Sequence, residues 1–322
     1  MSTSKAVFHS NTERRTMNTG LQTTCAEQFE SVGNGLLVRA PAKINLSLLV
    51  AGKRPDGFHE IETIMAKVTW YDEILIEPNP KAGLELICEG PQWSPAGAEN
   101  LVYRAAELLM KSCGRRANIK IALTKNIPAG TGLGSASSDA AATLIGLNKY
   151  LGLELPLSRL AELAAQLGSD VAFFLDGPLA LCSGKGEKIK KLFQNFNFLA
   201  LLILADVTIS TERVYANYRP DPALYQRLRK QINGYIEKNR IDLASKMCAN
   251  MLQTTCFSLL KELAELKAKV ESLGIGPVCL SGSGTSMFCL VPDCDRQTAT
   301  AYSRKLKENV GCKSIIVSNN RW

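Results

Sequence analysis

Residues 126–141 read NIPAGTGLGSASSDAA, three glycines and four hydroxyl side chains around a single leucine. The alternating segment ANIKIALTK runs into it as a strand, and the alanine-rich SSDAAATLIGLNKYLG leaves it as a helix. Between a strand and a helix, glycines let the backbone come close to an oxyanion. Successive N–H groups then point at its oxygens, and the helix N-terminus adds partial positive charge. This chemistry suits a phosphate. The two commonest nucleotide loops do not fit. No GxxxxGK[ST] string occurs, and Gly130, Gly132 and Gly134 follow GxGxG, with Ser135 where a dinucleotide fingerprint needs its third glycine. A second helix also follows, in place of a strand and an acid. A merely flexible turn would leave the donor-rich SASS at the helix start unexplained.

The chain of 322 residues can hold two domains, and 46% apolar with 21% charged residues is ordinary for a globular protein. The longest apolar run, 198–205, is too short to cross a bilayer and is expected to be a buried strand. Ten cysteines without a CxxC pair, and only two histidines, argue against a zinc site or a disulfide framework. Cys88, Cys279 and Cys289 are expected to be reduced core thiols in a cytoplasmic protein. The net charge of +8 is spread, with no run of five basic residues and no aromatic interleaving. It therefore favours anionic small molecules over nucleic acid or membrane partners. Residues 1–33 are polar and aperiodic, have no secretory h-region, and are expected to form a flexible extension.

Strands are expected at 36–50, 61–70, 73–77 and 84–88. Asn100 opens a helix whose Leu101, Ala105, Leu108 and Leu109 share a face and which Gly114 stops. PLSRLAELAAQLG is a further helix with Ser158 as its expected cap. The glycine-punctuated CSGKGEKIKKLFQNFN is expected to be a hinge into a second domain, FLALLILADV its first strand, and 241–273 helical with an inward face.

At this point three motifs coincide. PAGTGLGSASSDAA resembles the second signature of the GHMP kinases, APAKINLSLLV their N-terminal motif and LSGSGTSMF their C-terminal glycine motif, in the family's order from about residue 36 to near the end. The run RPDGFHEIET resembles the branch of the family that phosphorylates a CDP-linked polyol. That branch usually has GGGLGGGSSN in its loop, so Thr131, Ser135, Ala136 and Asp139 are substitutions, and Asp139 is expected to face away from the phosphates. The resemblance implies an α/β (α+β) fold of two domains: a ribosomal-S5-domain-2-like N-terminal domain over 34–186 and a ferredoxin-like C-terminal domain over 187–322.

It also implies roles. ATP would lie on Pro128, Ala129, Gly130, Thr131, Gly132, Leu133, Gly134, Ser135, Ala136, Ser137 and Ser138, with Mg²⁺ on its phosphates and the Ser138 hydroxyl as the candidate protein ligand. Asp170, in LGSDVAFFLDG, would accept the proton of the attacking hydroxyl; from the residues alone it reads as a turn aspartate. Lys43 lies in an apolar strand, where a lysine needs an acid or a phosphate. The resemblance places it beside Asp170. Asn45 falls on the same strand face and would bind the polyol. Phe58 would stack on a cytosine that His59 reads, with Tyr215 over the other face and Thr211 near the polyol. Gly282 and Gly284 would close a loop on the substrate; their bland reading is a turn. The partners implied are ATP and a small CDP-linked polyol, on a monomer or weak homodimer. Two other readings remain open: a family member acting on homoserine or mevalonate, and a catalytically silent binding protein of the same fold.

Overall fold

The computed structural model describes residues 26–193 and 196–322. Its spine is a long antiparallel pair, β2 (Gly35–Lys53) and β3 (His59–Pro78). In β2 burial alternates at first, with Leu36, Val38 and Ala40 inside, and then 41–50 are buried without a break. The first half is covered on one face only. The second half has protein on both faces, which is why its sequence runs apolar instead of alternating. The strand expectations at 61–70 and 73–77 merge into β3. Tyr71 and Asp72 stay paired, and the register shift falls just before them at 69–70, because Pro41 pairs with Tyr71 while Ala42 pairs with Val68.

The first sheet is completed by β1 (Phe29–Val32), β4 (Leu84–Glu89), β5 (Ile119–Thr124), β6 (Leu179–Gly184) and β7 (Lys188–Lys191), in the order β1-β2-β3-β5-β4 with β6 also on β3 and β7 on β6. Helices α1 (Leu101–Ser112), α2 (Ser135–Tyr150) and α3 (Leu157–Leu167) share one core with this sheet. A second sheet has β8 (Leu199–Leu204), β9 (Val278–Leu280), β10 (Met287–Leu290) and β11 (Lys313–Ser318) in the order β11-β8-β10-β9, wholly antiparallel. With helices between β8 and β9 and α9 (Arg296–Asn309) between β10 and β11, it has the βαββαβ chain order expected of a ferredoxin-like half. Strand β8, buried at every position, is the expected apolar strand.

Several expectations need correction. Part of the flexible extension is ordered: Phe29–Val32 pairs with β2 through a turn at Gly33 and Asn34, while 1–25 lie outside the described residues. The expected hinge is mostly the β6–β7 hairpin, so a boundary at 186/187 would cut through paired strands. Helix α3 begins before Ser158, with Pro156 at its N-cap position. The segment 241–273 divides into α6 (Ile241–Lys246), α7 (Gln253–Leu259) and α8 (Lys261–Ser272), after α4 (Thr211–Asn217) and α5 (Pro222–Glu237). Residues between α6 and α7 leave the helix because their backbone pairs with β2: Leu48 N donates to the Ala249 carbonyl at 2.7 Å and Met251 N to that of Leu48 at 2.9 Å. The same excursion brings Cys248 to Cys279, 31 residues on, and the two form a disulfide in place of the expected free thiol. Cys289 is a buried free thiol and Cys88 a half-buried one.

Helix α2 lies flat on the spine at Gly146, where an added Cβ would come within 2.7 Å of Val38 Cγ2 and 2.8 Å of Ile76 Cδ1. Alanine gains about 1 kcal/mol of helix propensity over glycine, but overpacking a tight core costs about 1–3 kcal/mol. Gly146→Ala is therefore expected to lower the thermal midpoint. A raised midpoint in calorimetry would show that helix and sheet separate more easily than this packing implies.

Candidate active site

A cavity of about 850 Å³ opens where the two sheets and α2 meet. Its floor is the loop between β5 and α2. Gly130, Gly132 and Gly134 all adopt the left-handed backbone that favours glycine, with φ of 73°, 84° and 71°. Two of them are also fixed by contact. A Cβ on Gly132 would sit 2.1 Å from the Ser281 carbonyl oxygen, and one on Gly134 would meet the Phe174 ring at 2.8 Å and Lys43 Cγ at 2.9 Å. Gly134 is also the N-cap of α2 and provides no side-chain oxygen, unlike Asn100, whose Oδ1 accepts from Val102 N at 2.9 Å as the expected cap of α1. The first-turn N–H groups of α2 thus remain available to an anion.

Not every residue of 128–138 faces this space. Gly130, Gly132, Gly134, Ser135, Ala136 and Ser137 line it. Leu133 is packed into the core, the Pro128 carbonyl accepts from Thr131 Oγ1, and the Thr131 carbonyl accepts from Ser286 N. Ala129 is outside the lining. Ser138 is fully buried, its Oγ has no partner among the described residues, and it does not line the cavity, whereas Ser137 does. Gly282 and Ser283 line the far wall, whereas Gly284 faces the core, where a Cβ would meet Cys256 Sγ at 3.0 Å.

Lys43 enters from β2, only 4% exposed, its backbone N–H bonded to the Leu133 carbonyl at 2.9 Å. Its Nζ donates to Asn45 Oδ1 at 2.5 Å and stands 3.8 Å from Asp170 Oδ2. Burial lowers its pKa and the Asp170 carboxylate acts against that shift. Asn45 is held in turn, its Nδ2 donating to Thr63 Oγ1 at 2.7 Å. So Lys43, Asn45 and Asp170 do converge, with the carboxylate the more open member at 32% exposure. Thr211 Oγ1 and Ser283 Oγ share a hydrogen bond of 2.8 Å across the cavity mouth.

At the other end His59 packs on Tyr215, ring centroids 4.9 Å apart, and meets Tyr218 edge-on at 6.1 Å. Phe58 beside it is 54% exposed, with Lys185 Nζ 4.7 Å from its ring centroid. Burial, with Lys53 second, lowers the His59 pKa below 6.5, so the ring is neutral at pH 7 and each nitrogen keeps its distinct donor or acceptor character. Burial and then Asp170 raise the Tyr215 phenol, which stays protonated.

Beneath the floor lies a cluster that sequence reasoning missed. Lys125 Nζ bonds Asp72 Oδ2 and Ser135 Oγ, and reaches Asp139 Oδ2 at 2.6 Å; the three charged side chains are no more than 3% exposed. Asp72 Oδ1 accepts from the backbone N–H of Asn126 and Ile127 at 2.6 and 2.8 Å, fixing the entry to the loop. Desolvation, then Asp72, holds the Asp139 pKa well above the usual carboxylate range. Burial pulls Lys125 down, but the two carboxylates outweigh it and leave the ammonium above its ordinary value. Asp139 thus faces away from the cavity, as expected. Lys125 stands directly before the loop and could have been noticed there. Asp72, 53 residues earlier, gave no local sign.

The model of the GHMP kinases N terminal domain matches residues 100–178, and that of the GHMP kinases C terminal region matches 232–309. A 4-diphosphocytidyl-2-C-methyl-D-erythritol kinase from Pelotomaculum thermopropionicum is 39% identical over 82% of this chain and 93% of its own length. The chain belongs to the GHMP kinase family. A Geobacillus protein of the same name is 39% identical over 80% of this chain and 88% of its own. Among GHMP kinase folds, a crystal structure of 4-(cytidine 5'-diphospho)-2C-methyl-D-erythritol kinase superposes with a TM-score of 0.72 at 31% identity, covering 89% of this chain and all of the other. A homoserine kinase from Cytophaga hutchinsonii gives 0.71 at 20% identity, over 92% of this chain and 98% of its own, a likeness of fold alone.

Two measurements test the site. Lys125→Met leaves buried carboxylates without a cation and is expected to cost about 3–5 kcal/mol in urea denaturation. Asp139→Asn removes the carboxyl that burial and Asp72 already disfavour as an anion and should cost clearly less; equal losses would contradict the raised Asp139 pKa. With only two histidines in the chain, NMR can follow His59 singly, and its midpoint should fall below 6.5. Because the unfolded chain then binds that proton more readily, this site loses stability as pH drops through that range. A midpoint at or above 6.5 would contradict the described environment.

Proposed function

We propose that this chain is an ATP-dependent kinase that phosphorylates the 2-hydroxyl of 4-diphosphocytidyl-2-C-methyl-D-erythritol, a step of non-mevalonate isoprenoid precursor synthesis in the cytoplasm. The observation that carries this reading is the Lys43–Asp170 pair. It lies in one cavity with an uncapped glycine-rich helix N-terminus and with a face of Phe58, His59 and Tyr215.

The ATP phosphates lie over Gly130–Ser137 of the loop, held by backbone N–H groups. The cytosine rests on the Phe58 face, and the neutral His59 hydrogen-bonds its edge. Asp170, the accessible carboxylate, takes the proton of the acceptor hydroxyl as its oxygen attacks the γ-phosphorus. Lys43 keeps Asp170 ionised and places positive charge beside the transferring group; Asn45 fixes the direction of the Lys43 ammonium. Most of the acceleration is positioning and charge stabilisation in a site screened from water.

Among the described residues no group of three or more His, Cys, Asp or Glu forms a metal cage. That fits Mg²⁺ carried by the nucleotide, which needs only one or two protein oxygens. The Ser137 hydroxyl and the Asp170 carboxylate line the cavity and would hold it, whereas Ser138 is fully buried within α2 and outside the lining. When bound, Mg²⁺ neutralises charge on the β and γ phosphates.

Homoserine and mevalonate carry no base and would leave the aromatic–histidine face unused. ADP release with the CDP-linked polyol, homoserine and mevalonate side by side is expected to show turnover with the first alone. Asp170→Asn should lower kcat by about 10²–10⁴-fold with nucleotide affinity near normal. Unchanged kcat in that variant, or turnover of either smaller acceptor, would refute the assignment.

A further inference from the structure

Lys67, on β3, has no part in the account above. It is 1% exposed and does not line the cavity. Among the described residues, no carboxylate lies within ion-pair distance of it. A buried cation without an acid is costly. This one is compensated by a carbonyl and two rings: its Nζ donates to the Phe174 carbonyl at 3.1 Å and stands 5.9 Å from the ring centroids of Phe173 and Trp322. Trp322 is fixed in turn, stacked on Tyr71 at 5.8 Å and donating from Nε1 to the Ala26 carbonyl at 2.7 Å. Burial pulls the Lys67 pKa down to about 7. Of the nearby charges, Asp176 acts against that shift and Lys191 adds to it, and those two bond each other. Protonated or neutral, the nitrogen keeps an N–H to donate.

The carbonyl it holds belongs to the segment that carries Asp170. After α3 this segment makes a 3₁₀ turn, Ala172–Leu175, and then enters β6. Side chains hold the Asp170 carboxylate only loosely: Ser169 Oγ donates to Oδ1 at 3.4 Å, and Lys43 Nζ stands 3.8 Å from Oδ2. Its place is therefore set by the backbone. There Val171 N donates to the Gly168 carbonyl at 3.3 Å, and Phe174 N to that of Val171 at 3.1 Å. The Phe174 carbonyl ends that series of bonds, where a helix leaves its last carbonyls without partners. Lys67 supplies the partner.

The same residue grips the segment a second time, its backbone N–H donating to the Pro178 carbonyl at 2.8 Å. Lys67 is also the cross-strand partner of Lys43, and residues paired directly across an antiparallel ladder share a face. The two lysines thus stand side by side over one segment, Lys43 at Asp170 and Lys67 at Phe174. The first meets the carboxylate in the cavity; the second meets the backbone behind it.

We propose that Lys67 is a positioning residue for the phosphoryl transfer: by holding the Phe174 carbonyl it fixes the turn that aims the Asp170 carboxylate at the acceptor hydroxyl. This rests on the role given to Asp170 above and extends it to a buried group that touches neither substrate. A shift of about 1 Å in a reacting group costs up to about 10²-fold in rate, so one buried hydrogen bond is enough to matter.

The test is a double-mutant cycle of Lys67→Met with Asp170→Asn, using the acceptor that the wild type turns over. Lys67→Gln serves as the variant that keeps an N–H of similar reach without the charge. Lys67→Met should lower kcat by about 10–10²-fold, with the KM of ATP and of the acceptor near wild type. Lys67→Gln should recover most of that loss. In the Asp170→Asn background Lys67→Met should cost less than about threefold, because the group it positions is gone. Every kcat is read below the thermal midpoint of its variant, and Lys67→Leu repeats the cycle, so that misfolding of one variant does not decide the outcome. Unchanged kcat in Lys67→Met overturns the proposal. So do losses that multiply in the double variant, or a Lys67→Gln no better than Lys67→Met, since either would mean a general loosening of the fold. If Asp170→Asn alone leaves kcat unchanged, the role of Asp170 falls and the positioning with it. A lowered kcat in Asp170→Asn with multiplying losses removes the role of Lys67 only.

Discussion

Among the described glycines, Gly132 leaves the least room for a side chain, where its backbone meets Ser281, and the arrangement of the cavity depends on that approach. There is no room for even one methyl group between them, since a Cβ would be 2.1 Å from the Ser281 oxygen. Hydrogen bonds close the joint from both sides: Ser281 Oγ donates to the Gly132 carbonyl at 2.9 Å, Ser286 N to that of Thr131 at 2.9 Å, and Lys43 N to that of Leu133 at 2.9 Å. The donor loop, the β2 strand carrying the lysine, and the glycine loop after β9 are thereby held in fixed register. The cavity is the space left between them.

Beneath the joint, buried charge supports the loop from within. Asp72 satisfies two N–H groups at the loop entrance that would otherwise be unpaired in a dry interior. Lys125 links that carboxylate to Ser135 and Asp139 in the first turns of α2. Burial and the neighbouring Asp72 hold the Asp139 carboxyl well above its usual range, so it is the member of the cluster that takes up a proton most readily. Above the floor the polarity is the reverse: Lys43, Lys53 and Lys185 line the cavity, and Asp170 is the carboxylate next to Lys43.

Legibility in the sequence followed range. The glycine-rich loop, its flanking strand and helix, the cap at Asn100 and the apolar β8 could be read because each depends on neighbours within a turn or two of chain. Lys43 could be noticed because a charge in an apolar strand violates a local rule. The β6–β7 turn was misread for the same reason in reverse. Its glycines and lysines look like a solvated hinge, and only pairing with β3, over a hundred residues earlier, makes them a cavity wall. Periodicity also carried the helical reading through 247–252, where the demands of Leu48's backbone overrode it.

By itself, the amino-acid sequence determined which stretches are strand, helix or glycine loop, and which residue types could serve phosphate transfer, since dihedral preference and periodicity are local properties. The tertiary structure decided which of those residues meet. It set Lys43 against Asp170, sealed Ser138 while leaving Ser137 open, joined Cys248 to Cys279, and buried Asp72 and Lys125 under the loop. The reason is physical: burial, pairing and the protonation they impose are properties of distances between atoms far apart in the chain, and those distances exist only once the two sheets have closed on one another.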